Sequence, residues 1–253
     1  MSKIKVNSIE AATGSTVTLP SGQTLDLSSG TVTLPNSSVN LTTKVTGTLP
    51  VANGGTGLTT LGSATQVLRV NSGATALEFA AVSSDYVLLA TTNASNVASV
   101  SFDGYFSATY QNYIILLSDY YHATSGSGMY MNFRRSNADV TAANYATIAL
   151  NYQTGGADSQ ISTGQNQFNI FLGGSANNSA TSASARTITI FNPLSTTSHK
   201  PMTYTGWSVR SDGNIFVTCG SGQLSDNANA LSGVSFSSSS GNIYGNFKLY
   251  GLK

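Results

Sequence analysis

Few residues in this chain of 253 are suited to chemistry. His122, His199 and Cys219 are the only side chains whose ordinary ionisation lies near neutral pH. A zinc site needs three or four ligands, and these residues sit far apart in the sequence. A Ser-His-Asp triad would have only His122 and His199 to draw on, and no GxSxG elbow occurs. Glycoside hydrolysis needs two carboxylates about 5–10 Å apart. Beyond residue 80 the acids are Asp85, Asp103, Asp119, Asp139, Asp158, Asp212 and Asp226, with no Glu. Most stand beside Gly, Ser or Asn, where Asp caps turns. Asp212, in Ser-Asp-Gly-Asn, reads as a hairpin turn, and Asp103 before Gly104 is similar. The expectation is therefore no catalysis, no metal and no cofactor.

Binding is better provided for. The segment 118–126 reads Ser-Asp-Tyr-Tyr-His-Ala-Thr-Ser-Gly. Tyr120, Tyr121 and His122 offer aromatic faces with planar polar groups beside them, the combination that recognises sugars. Arg134 and Arg135 are the only paired basic residues in the C-terminal part. They are candidates for an anionic glycan, with a solvated strand end or an intersubunit salt bridge as the structural alternatives. Cys219 reads as a small buried apolar residue, and Trp207 as core.

These residues must be held by strands. Alternating apolar and polar residues, rich in β-branched and aromatic types and separated by turn residues, recur along the C-terminal part. Strands are expected at 86–90, 113–117, 129–133, 145–152, 168–172, 187–191, 202–210, 214–218, 233–236 and 243–250. Ten short strands without a normal-length helix predict an all-β head over 81–253, a β-sandwich or jelly roll. In the last strand Ile243, Phe247 and Leu249 are expected to face one way, and Tyr244, Lys248 and Tyr250 the other.

Composition bounds the partners. Only 8% of residues are charged, against about 25% in an average domain. Net charge is +1 with no basic tract, which excludes the clustered phosphate neutralisation that nucleic acid needs. No apolar run approaches the roughly 20 residues of a spanning helix, so no membrane insertion is expected. The N-terminus, MSKIKVNSIE, lacks the apolar core of a signal peptide, which predicts synthesis in a cytoplasm.

The first 80 residues differ. They hold no Tyr, no Trp and a single Phe, Phe79, so they cannot build an ordinary core within one chain. They also repeat. TVTLPSG, TVTLPNS and TGTLPVA recur with a step of fifteen, placing Leu19, Leu34 and Leu49, and likewise Pro20, Pro35 and Pro50, in register. Each unit has too few apolar residues to bury a face alone. Winding with other chains around a common axis supplies the missing partners.

Repeats of this length and pattern resemble the triple β-spiral shafts of viral fibres. The next stretch, LPVANGGTG at 49–57 followed by QVLRVNSGATALEFA at 66–80, resembles a module recurrent in bacteriophage tail-fibre proteins, where it joins shaft and tip. Gly54, Gly55 and Gly57 suit chains crossing near an axis and turns of positive φ. The resemblance implies a homotrimer in four parts: a virion-attachment segment (1–13), a repeat shaft (14–52), a Gly-rich connector (53–80) and the head (81–253). It implies anchorage on a tail or capsid protein through the N-terminus and adsorption to a host-surface glycan or protein through the head. A capsid fibre or decoration protein has the same architecture, and a small polysaccharide depolymerase is the enzymatic alternative.

Overall fold

The computed structural model of the chain describes residues 55–153, 155–170, 178–210, 212–226 and 229–253, with 21, 22, 24, 47–49 and 51 before them. Leu19, Pro20, Leu34, Pro35, Pro50 and Gly54 lie outside the described residues, as do 1–13. The chain divides into two units, Met1–Val82 and Ser83–Lys253. Among the described residues there is no α-helix, and every strand pairing is antiparallel. No helix among them is long and apolar enough to cross a membrane.

In the first unit β1 (Gln66–Val70) and β2 (Leu77–Ala81) form a hairpin. The stretch expected only to connect thus has a structure of its own. Asn71 closes the turn: its side-chain oxygen accepts hydrogen bonds from the backbone N–H of Thr75 and Ala76. Gly55 is crowded by its own chain, since a Cβ there would lie 2.0 Å from the Leu49 carbonyl oxygen. Gly57 has φ +72°, the positive value its turn position calls for.

The second unit contains β3 (Tyr86–Val97), β4 (Ser99–Phe102), β5 (Asn112–His122), β6 (Met129–Arg135), β7 (Ala138–Asp139), β8 (Tyr145–Gln153), β9 (Gly156–Gln165) and β10 (Phe168–Asn169). It continues with β11 (Ser184–Phe191), β12 (Lys200–Val209), β13 (Ile215–Leu224), β14 (Gly233–Ser238) and β15 (Ile243–Leu252). Eight strands form the larger sheet, in the order β3-β15-β5-β11-β12-β13-β8-β9. The smaller sheet runs β10-β6-β14-β4, with β7 on β6. A strand stands at each of the ten expected places, although of 168–172 only Phe168–Asn169 is strand, and 171–172 lie outside the described residues. β4, β7 and β9 are additional; β9 (GADSQISTGQ) is too polar to show an apolar alternation.

The two sheets share one core. Met129, Met131, Phe133, Val234 and Phe236 of the smaller sheet meet Tyr113, Ile115, Ile188, Ile190, Phe247 and Leu249 of the larger. Phe236 and Phe247 join them directly, with ring centroids 5.4 Å apart. Burial alternates along β8, β11, β12 and β13, so the larger sheet keeps a second, outward face, whereas β6 and β14 of the smaller sheet are buried on both faces over Met131–Phe133 and Gly233–Phe236. Inward-facing glycines make room for large groups. A Cβ on Gly220 would lie 2.4 Å from the Tyr204 ring, and one on Gly206 would meet the Ala185 carbonyl oxygen at 2.3 Å.

Candidate functional site: an aromatic platform on the outer sheet face

Strand β5 does not stop where the apolar alternation ends. Tyr113, Ile115 and Leu117 are buried, and so are Tyr120 and His122. The change from odd to even positions marks a β-bulge at Ser118 and Asp119. The register with β15 shifts between Tyr244 and Asn246, and that with β11 shifts between Ser184 and Arg186. Asp119 takes φ +54°, a conformation that Asp tolerates better than most residues. Bulges re-aim side chains, and this one turns Tyr120 and His122 inward and Tyr121 outward.

The expected trio of Tyr120, Tyr121 and His122 is therefore corrected. Tyr120 is 1% exposed and His122 is 0% exposed. His122 Nδ1 lies 2.7 Å from the Ser238 hydroxyl of the facing sheet, and its ring packs edge-on against Tyr120. Burial pulls the imidazole down to about 4, so it is neutral at physiological pH. Burial also raises the Tyr120 phenol, against the pull of the Arg186 cation. Arg186 is itself buried beneath this region; burial lowers its guanidinium to about 10, which still leaves it charged.

Tyr121 alone of the three reaches the outer face, and there it finds partners absent from the expected set. Its ring stacks on Tyr244, with centroids 4.5 Å apart and planes 3° from parallel. The two residues are direct cross-strand partners. One step along β15, the Asn246 amide donates to the Asp119 carboxylate at 2.9 Å. The Ser118 hydroxyl donates to the same oxygen at 3.4 Å. Gly245 makes this packing possible. Its φ is +139°, and a Cβ there would lie 3.0 Å from Tyr120 Cα and 3.1 Å from the Ser118 carbonyl oxygen. Beyond Ser118 the face dips into a groove of about 360 Å³, bordered by Leu116, Ala185, Thr187 and Trp207. A stacked aromatic pair, an amide, a carboxylate and hydroxyls on one surface suit a polyhydroxylated ligand. The outward side of Tyr244 was legible in the alternation of the last strand; the Gly245 break beside it was the only further signal.

Arg134 and Arg135 do not join this site. Arg134 Nε donates to Asp103 Oδ2 at 2.6 Å, and its Nη1 pairs with Asp139. Arg135 Nη2 bonds Asp226 Oδ2 at 2.6 Å. Both tie loops to the end of β6 and are engaged within the chain. Of the other sequence readings, Asp212 accepts from the Asn214 backbone as a turn residue should. Two fail. Trp207 is 44% exposed and Cys219 is exposed, because both occupy outward positions of their strands. Among the described residues no group of three His, Cys, Asp or Glu is placed to hold a metal.

No protein-family model, curated protein or solved structure matches this chain.

Proposed function

We propose that this chain is a subunit of a virion fibre whose head adsorbs to a host-surface glycan through the Tyr121–Tyr244 platform. The N-terminal repeats form a shaft with two further copies, and the N-terminus docks on a tail or capsid protein. The stacked pair, flanked by the Asp119–Asn246 hydrogen bond, carries the binding reading. Two tyrosines stacked face to face on an outer sheet face, away from the core, present an aromatic surface to what lies outside the chain. The fifteen-residue register and the LPVANGGTG stretch support the fibre reading. Repetition in a trimer multiplies weak sites into useful avidity.

The test is binding of labelled full-length protein to the cells its particle infects and to a panel of their surface glycans. The double variant Tyr121→Ala, Tyr244→Ala is expected to bind at least about tenfold more weakly, because each small loss is compounded across copies. Undiminished binding by a correctly folded double variant would overturn the assignment of the platform.

A further inference from the structure

The outer face of the larger sheet has two unlike halves. Around β5 and β15 it carries the platform with Asp119, Asn246 and Lys248. Across β9, β8 and β13 it is apolar. Tyr152 pairs with Val217, Leu150 with Cys219, and Ile148 with Ile161. Tyr152 is 57% exposed, Val217 53% and Ile161 71%. With Ile148, Leu150 and Ile215, they leave on the order of 600 Å² of apolar surface open, the upper end of what a monomer tolerates and approaching the ~800 Å² per partner of a standard interface. Beside them Ile148, Ile161, Pro201 and Thr203 border a groove of about 350 Å³.

We infer that this half-face is the surface through which the heads of neighbouring copies of the chain join. Two observations single out a second copy as the occupant. The first is charge. The outward positions of β8, β11, β12 and β13 carry no charged residue. Such a surface meets its own copy without like-charge repulsion, and charge depletion marks interface cores. The second is the N-terminal third, which has repeats in register and almost no aromatic residue. It needs further copies to bury its apolar positions. Chains joined there hold their heads at a high effective concentration, so a modest apolar contact closes. The inference rests on the reading of residues 14–52 as a several-chain shaft. It leaves the platform half of the same face free for ligand.

Cys219 reports on this surface directly, because it is the only cysteine and is exposed in a single chain. The experiment combines the solution mass of the full-length protein with the rate of Cys219 alkylation by a bulky maleimide, before and after unfolding in guanidinium. An oligomer whose thiol reacts about tenfold or more slowly than the unfolded chain is expected, since thiol reactivity follows access. Val217→Asp is expected to restore fast alkylation while the shaft keeps the chains associated. An oligomer whose native Cys219 reacts as fast as the unfolded thiol would overturn this surface and leave the fibre reading standing. A monomeric mass would overturn both. The wild-type rate decides even where Val217→Asp fails to fold.

Discussion

Tyr121 and Tyr244 stand directly opposite one another on neighbouring antiparallel strands and stack within 3° of parallel. Neither ring belongs to the core. Their contact depends on the Asp119 bulge, which points Tyr121 outward, and on Gly245, which lets β15 follow the bulged strand.

Removing one ring should therefore affect binding much more than folding. A half-buried cross-strand aromatic pair such as this one contributes roughly 0.5–1 kcal/mol. Tyr121→Ala and Tyr244→Ala are each expected to lower head stability by about that much in a denaturant titration. A double-mutant cycle should show that the two losses are not additive. Additive losses would mean that the rings do not act as a pair.

Gly245→Ala should damage the platform from behind. The added methyl enters a position of φ +139° and meets Tyr120 Cα at 3.0 Å. A destabilisation of about 1–3 kcal/mol is expected, together with weaker glycan binding. An alanine variant as stable as the parent would show that the bulge is not under this constraint.

The head should lose stability in mild acid through His122. Its folded pKa is lowered to about 4 from 6.5 by burial. Between those values the unfolded chain binds more protons, so stability rises with pH across this window and is fully present above 6.5. Falling from neutrality to pH 5 should remove about 2 kcal/mol, and nearly all of an about 3 kcal/mol contribution should be gone below pH 4. Denaturant titrations at pH 7.5 and 5 provide the check. His122→Gln should flatten the difference between them, whatever it does to absolute stability.

Arg134 should prove structural. Its guanidinium pairs with Asp103 and Asp139 and also donates to the Asn137 carbonyl. The side chain is 14% exposed and Asp103 24%, so water screens the pair only partly. Arg134→Ala is expected to lower stability by roughly 2–3 kcal/mol, somewhat below the loss for a fully buried pair. Adsorption per folded molecule should not change. A stable variant that no longer adsorbs would return Arg134 to the binding surface.

Much of the head was legible because strand patterning is local. The inward set Ile243, Phe247 and Leu249 and the outward set Tyr244, Lys248 and Tyr250 follow from a period of two. Trp207 and Cys219 were misplaced for a related reason. They alternate as the pattern demands, but an apolar residue on an outward position carries no local sign of which face is covered. Strand β9 escaped because Ser, Thr and Gln supply no apolar rhythm, and it is held by pairing with β8.

The sequence by itself determined the all-β character of the head, the positions of ten strands and the repeats ahead of them, since these rest on neighbours a few residues apart. Tertiary structure alone decided which of Tyr120, Tyr121 and His122 faces outward. That depends on a bulge whose register is set against β11 and β15, strands more than sixty residues further along the chain. It decided equally that Arg135 bonds Asp226, 91 residues away. Alternation specifies two faces; only the pairing of distant strands says where its phase inverts and which charges meet.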